Sequence, residues 1–204
     1  MLDPATVDAV AARASISRSD LVTGAGFINT SGRLVRASTL PDVVGPGMEL
    51  LVIGLNPSPA AASAGVSFAR PGNRFWPAAL AGGLVSRDRD PHHALTHHGI
   101  GFTDIVKRTT RTAAELTVSE YRAGMARVER LARWLQPRAC AMVGLAGWRA
   151  AVDRKATAGW QPGRLGGAPV YLMPSTSGLN ARSSLDELTR HLLTAAGREP
   201  PPSP

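Results

Sequence analysis

One cysteine, Cys140, stands in a chain of 204 residues. A lone thiol closes no disulfide within the chain and supplies neither an iron-sulfur cluster nor a cysteine-based zinc finger, so stability has to come from a buried core. Cys140 lies in the apolar run 139–143, and a reducing cytoplasm is the expected setting. No stretch reaches the roughly 18 consecutive apolar residues of a membrane-spanning helix. The N-terminus carries Asp3 early and lacks the basic segment and apolar stretch of a secretory signal. A soluble, intracellular protein with no membrane partner is expected. Acidic residues are scarce: 15 Asp and Glu stand against 23 Lys and Arg, for a formal charge of +8. That balance favours a polyanionic partner such as nucleic acid, although a solvated basic face reads the same way. There is no internal repeat and no break in composition, and 44% hydrophobic content is enough for one buried core.

Apolar patterning places the elements. Residues 49–55, 139–143 and 169–173 are nearly continuous apolar runs, as in strands covered on both faces. Residues 99–110 set polar groups beside apolar ones and read as a shorter strand or turn. Helices are expected at 4–14, with Asp3 as cap and Pro4 in the first turn, at 73–84 with Phe75, Trp76 and Leu80, and at 144–152 with Trp148. Thr117-Val118-Ser119-Glu120 has capping-box spacing. It opens a helix whose Tyr121, Met125, Val128 and Leu135 share a face until Pro137, leaving Arg122, Arg127, Arg130 and Arg133 largely elsewhere on its surface. Ser184-Leu185-Asp186-Glu187 repeats the box, and Leu185, Leu188 and Leu192 form a buried stripe, with Ser183 or Ser184 as the cap. Strands alternating with helices predict an α/β fold, a single three-layer α/β/α sandwich with a mostly parallel central sheet, over 40–196. Residues 1–39 read as a partly helical extension without an assigned task. In the irregular stretch 15–47, Leu34 and Val35, or Val43 and Val44, are the pairs expected to lie against the domain, and 197–204 reads as a disordered tail.

Open parallel sheets build ligand sites from loops at the carboxyl ends of their strands. Two loops fit. In Leu51-Val52-Ile53-Gly54-Leu55-Asn56-Pro57-Ser58-Pro59, Pro57 keeps Asn56 extended, and both prolines fix their own φ angles. An amide so held is a poor base, but it orients a water and turns its dipole toward developing positive charge. The plain alternative is a turn-forming Asn before proline. The second loop, Pro174-Ser175-Thr176-Ser177-Gly178-Leu179-Asn180-Ala181-Arg182, ends the last strand. Read alone it is a serine-rich turn before a helix, with Leu179 in the core.

Gly54-Leu55-Asn56-Pro57, followed by Phe68-Ala69-Arg70-Pro71-Gly72-Asn73-Arg74-Phe75-Trp76, resembles the first motif of the mismatch-specific uracil/thymine DNA glycosylases. Residues 99–110 and 173–182 resemble later segments of that bacterial mismatch uracil glycosylase-like family in the same order, so the likeness spans roughly 40–196. It implies that Asn56 positions the attacking water and that Phe68 stacks on an extruded pyrimidine whose edge is read by the backbone near Gly54, Leu55 and Ser58. Asp104 falls where the family varies among amide, lysine and carboxylate. A carboxylate there activates water or stabilises an oxocarbenium-like sugar, with Thr109 and Thr110 supporting it through their hydroxyls. The resemblance also makes Gly178-Leu179 the wedge that fills the vacated stack, sets Asn180 near the widowed guanine, and assigns Arg182, Ser175 and Ser177 to phosphates.

Two positions depart from the pattern. Ser58 and Pro59 stand where a glycine commonly follows the motif proline, and Ala61 falls where side-chain size near the fifth carbon of the pyrimidine matters. A small Ala61 leaves room for thymine, with uracil the primary substrate. His92, His93, His97 and His98 lack an organised third donor and read as a loop, not as a metal site. Gly144 and Gly147 lack the spacing of a dinucleotide fingerprint. The expectation is a monofunctional glycosylase, monomeric and without metal or organic cofactor, that acts on uracil or mismatches in double-stranded DNA at the nucleoid. Of the lysines, only Lys107 is left open as a Schiff-base nucleophile. The competing readings are a non-catalytic module that senses mismatched or damaged DNA and an enzyme of free nucleotides.

Overall fold

The computed structural model describes residues 4–14, 16–31, 33–180 and 182–198. Helices α1 (Pro4–Ala14) and α2 (Arg18–Gly24) lead into a hairpin of β1 (Phe27–Thr30) and β2 (Arg33–Arg36). Then follow β3 (Leu50–Gly54), α3 (Pro59–Ala64), α4 (Phe75–Ala81), α5 (Pro91–His98), β4 (Ile100–Asp104), α6 (Val118–Leu135), β5 (Cys140–Val143), α7 (Ala146–Ala151), β6 (Gly159–Leu165), β7 (Ala168–Met173) and α8 (Leu185–Ala195). The central sheet runs β4-β3-β5-β7-β6. Its first four strands are parallel, and β6 closes one edge antiparallel to β7. This is the expected α/β architecture.

Every residue of β3, β4 and β5 is buried, as their unbroken apolar character requires when both faces are covered. One face packs Val52, Phe102, Tyr171 and Met173 against Phe75 and Trp76 of α4 and Leu188 and Leu192 of α8. The other packs Ile53, Met142 and Leu172 against Met125, Val128 and Leu131 of α6 and Trp148 of α7. Cys140 lies within that second layer, where burial pushes its thiol up to about 12. Strand order reverses at β3, whose successor β4 lies on one side and β5 on the other. The crevice at such a reversal, beyond the carboxyl ends of the strands, is where these sheets take ligands.

Several elements differ from expectation. The helix expected at 73–84 is confined to Phe75–Ala81, and Leu80 is 37% exposed on it. Short helices α3 and α5 occupy stretches read as loop, each with a proline in its first turn and a side-chain cap, Ser58 and Asp90 respectively. The histidines therefore sit on a helix, with the His93 and His97 rings stacked at 4.2 Å. Among the described residues no group of His, Cys, Asp and Glu is arranged to hold a metal ion. Strand β6 also went unanticipated, because Pro162 and Gly163 interrupt it at a register shift. Of the two candidate pairs in the irregular stretch, Val43 lies on the domain, exchanging backbone hydrogen bonds of 2.9 and 2.8 Å with Phe102 on the outer edge of β4, while Val35 is exposed. Asp3 and residues 199–204 lie outside the described residues.

Arg127 corrects the reading of α6. It is not on a solvent face but buried, with its guanidinium on Asp42 at 2.8 Å. Arg130 grips Asp20 of α2 through two bonds of 2.6 and 3.0 Å and so fastens the N-terminal segment to α6.

Candidate active site

The parallel register puts the ends of β3 and β4 side by side, with Gly54 directly opposite Asp104. Over these ends and those of β5 and β7 opens a cavity of about 800 Å³. It gathers Gly54, Leu55, Asn56, Ser58, Ala61, Phe68, Asp104, Thr110, Ser175, Ser177, Leu179, Asn180 and Arg182, residues from four separate parts of the chain.

Asn56 is aimed by its amide nitrogen. That group donates to Thr110 Oγ1 at 2.7 Å, to the Arg108 carbonyl at 3.0 Å and to the Pro57 carbonyl at 3.2 Å. Thr110 in turn donates to the Thr112 carbonyl at 2.8 Å, so its hydroxyl is committed as an acceptor toward Asn56. With the nitrogen held, Oδ1 stays as the acceptor that can turn to a water in the cavity. The proline loop after Asn56 runs straight into α3, because Ser58 accepts from the Ala61 amide at 3.2 Å. Ser58 thus serves as a helix cap, and buried Ala61 presents its methyl to the cavity.

Asp104 is 7% exposed and its carboxylate accepts no hydrogen bond from the protein among the described contacts; its main-chain carbonyl accepts from Arg127 at 2.7 Å and more distantly from the Thr103 hydroxyl at 3.5 Å. Burial pushes this carboxyl up to about 6; Lys107 and Arg127 draw it down, and Asp42 adds to the rise. Gly54 is required by this closeness, since a Cβ there would collide with Asp104 Oδ1. Phe68 adopts a left-handed φ of 58° and stacks on Phe75 with centroids 4.4 Å apart. Such a conformation costs a non-glycine residue about 1–2 kcal/mol. It is held from the preceding residue, where Trp76 Nε1 donates to the Ser67 carbonyl at 2.7 Å. A ring backed by Phe75 on one side has its other side for a flat ligand.

The second loop is built around Leu179, a leucine left 79% exposed at the cavity. Its neighbours are pinned. Arg74 donates to the carbonyls of Asn180 and Ser183. The Thr176 carbonyl accepts from the Arg74 amide at 2.9 Å. Gly178 packs so tightly that a Cβ would sit 2.8 Å from the Gly72 carbonyl oxygen. Asn180 is engaged inside the loop, giving its amide to the Ser175 carbonyl at 2.8 Å and accepting from the Arg182 amide at 3.3 Å. Arg182 joins Arg70 and Arg111 as exposed arginines at the cavity.

Residues 41–195 match the model of the uracil DNA glycosylase superfamily. The chain belongs to the uracil DNA glycosylase superfamily. Its fold is similar to the solution NMR structure of a candidate uracil DNA glycosylase from Methanosarcina acetivorans, with a TM-score of 0.55 and 21% identity, covering 78% of this chain and 96% of that one. Membership supports uracil glycosylase activity in general, a hydrolase of DNA repair with DNA as substrate.

Within this superfamily member, some positions fall elsewhere than the sequence suggested. Neither threonine gives its hydroxyl to Asp104: Thr110 holds Asn56 and the Thr112 carbonyl instead, while Thr109 donates to the Ser38 carbonyl at 2.7 Å and lines a second cavity beside the N-terminal hairpin. Gly178 is not among the residues lining the cavity and packs closely on Gly72. Lys107, the lysine left open as a nucleophile, is buried against Asp42 at 2.8 Å. Sequence reading missed Arg74, whose hold on the Leu179 loop spans more than a hundred residues, along with Asp42, Lys107 and Arg127 as a buried charged group. The arginine in the Asn73-Arg74-Phe75 run was a usable signal for the first; nothing local announced the others.

Proposed function

We propose that this protein is a monofunctional, mismatch-type uracil DNA glycosylase that acts on a uracil everted from double-stranded DNA, favouring uracil opposite guanine. The observation that carries the reading is the convergence of Asn56, Asp104 and Phe68 on one cavity that also holds the exposed Leu179. Phe68 holds the base plane and the backbone around Gly54 and Leu55 meets its edge, while Leu179 fills the gap left in the stack. The bond between C1′ of the sugar and N1 of uracil breaks with its electron pair leaving on the base. Donors fixed at the site stabilise that charge without reorganising. Water oriented by Asn56 Oδ1 attacks C1′, and its proton passes to the Asp104 carboxylate, giving free uracil and an abasic site. Arg70, Arg111 and Arg182 contact phosphates and position the duplex without reading sequence. Ala61 leaves space beside the fifth carbon, so thymine opposite guanine is a slower substrate. The working form is a monomer in the cytoplasm, at the nucleoid.

Excision from G:U, A:U and G:T duplexes and from single-stranded uracil, measured side by side, tests this. G:U is expected to be fastest and G:T detectable. Equal rates on G:U, A:U and single strands would remove the mismatch preference, and release from no substrate would remove the activity.

A further inference from the structure

Behind Asp104 lies a buried charged group that the chemistry above does not use. Asp42, Lys107 and Arg127 have side chains 5%, 7% and 7% exposed. Asp42 sits on the segment that runs along the outer edge of β4, one residue before the Val43 bridge. Its Oδ1 accepts from Lys107 Nζ at 2.8 Å and from Thr103 Oγ1 at 2.6 Å, and its Oδ2 accepts from Arg127 at 2.8 Å. Burial opposes ionisation of Asp42, but the Arg127 and Lys107 charges and the bonds from Lys107 and Thr103 outweigh it and hold the carboxyl below its ordinary range.

The same cations have a choice of carboxylates. Lys107 Nζ is 4.0 Å from Asp104 Oδ2, beyond hydrogen-bond reach, while it bonds Asp42 at 2.8 Å. Arg127 gives Nη2 to Thr103 Oγ1 at 2.9 Å and to the Asp104 carbonyl at 2.7 Å, leaves its buried Nε without a partner among the described residues, and gives nothing to the Asp104 carboxylate. The charged groups acting on Asp104 are these three: Lys107 on the following loop, Asp42 along the β4 edge and Arg127 on α6. Helix α2 seals the arrangement. The Gly24 carbonyl accepts from the Asp42 amide at 2.7 Å, and a Cβ on Gly24 would lie 2.7 Å from Asp42 Oδ2.

We propose that Asp42 is a positioning residue for Asp104 that acts through Lys107: by capturing the ammonium it leaves the Asp104 carboxylate on the cavity without a bonded cation. Its catalytic consequence rests on the proposed base role of Asp104; its effect on Asp104 does not. A carboxylate without a hydrogen-bonded cation is the stronger base, and this arrangement gives the N-terminal segment a task, that of closing over Asp42. Freed from Asp42, Lys107 has only to move the last ångström to pair with Asp104.

The test follows the carboxyl carbon of Asp104 by NMR across pH, assigned by loss of its signal in Asp104→Asn, alongside the pH profile of uracil release. In Asp42→Asn the Asp104 midpoint is expected to fall by about one pH unit or more, the effect of an opposite charge brought into contact. Asp42→Glu is expected to restore the wild-type midpoint. In a Lys107→Met background the Asp42→Asn change is expected to move the midpoint less than half as far. An unmoved midpoint in folded Asp42→Asn, or an equal fall in both backgrounds, overturns the proposal. Should Asp42→Asn not melt cooperatively, the comparison within the Lys107→Met background decides, a full-unit fall there being the overturning result. A midpoint that moves while the acid limb of the rate stays put supports the role of Asp42 and refutes Asp104 as the base.

Discussion

A carboxylate held at about 6 by burial works against the fold wherever it is charged. The folded value is raised above the ordinary 3.8, so the contribution of this group to stability is complete below about 4 and is lost as pH rises through about 6. The shift of about two units corresponds to roughly 3 kcal/mol at most. Asp104→Asn is therefore expected to raise the melting temperature by several degrees at pH 8 and to give no gain at pH 4. Thermal melts at the two values check this, and an equal gain at both contradicts the assigned cause. The same variant is expected to lose most uracil release at pH 8, with the wild-type rate falling below pH 6 as the base becomes protonated. For Asn56→Ala, loss of the oriented water predicts a drop of about 10²-fold in single-turnover rate with an unchanged melt. Of these residues Asn56 was legible because it sits between an apolar strand and a proline-stiffened loop, and Phe68 only through the motif around it. The partners of Asp104 were not legible: Arg127 sits two residues from Met125 on an amphipathic helix, where charge ordinarily means solvent, and Asp42 precedes the first long strand with nothing to mark it as buried.

Strands β3 and β5, buried throughout, and β7, buried except at Pro169, were readable as apolar runs and fell where expected. Helices α6 and α8 were equally plain, since their capping boxes, Thr117 with Glu120 and Ser184 with Glu187, are both formed. Short elements failed because they owe their form to neighbours. Helix α3 has six residues and α5 eight, too few for a periodic signal, and β6 is an edge strand that tolerates Pro162 because only one side needs pairing. The Leu179 loop belongs to the same scale, being shaped by Arg74 from the far side of the sequence. Arg74→Ala leaves the Asn180 and Ser183 carbonyls without that donor and is expected to weaken duplex binding about tenfold while excision from single strands changes little. Leu179→Ala should show the same split through loss of the filler in the stack. Equal losses on both substrates, read in parallel rate measurements, would assign these residues to the base site instead of the wedge.

For the molecule as a whole, the formal charge of +8 gains direction from the fold, because Arg70, Arg111 and Arg182 all line the cavity that holds Asn56. Duplex affinity is expected to fall steeply with salt, and Arg111→Ala to lower the slope of log affinity against log salt by about 1. A slope unchanged in that variant would place Arg111 off the phosphate path. The topology itself makes the site: parallel strands that reverse order at β3 bring Asn56, Asp104 and the Leu179 loop to one rim, though 123 positions separate Asn56 from Leu179. Single-turnover incubation with a duplex holding one G:U pair, with free uracil quantified for wild type, Asn56→Ala and Asp104→Asn, tests that convergence most directly. The wild type is expected to release uracil and leave an alkali-labile strand, with both variants binding the duplex but releasing far less. Tight binding by the wild type with no free uracil would contradict the account and make the cavity a sensor of damaged DNA.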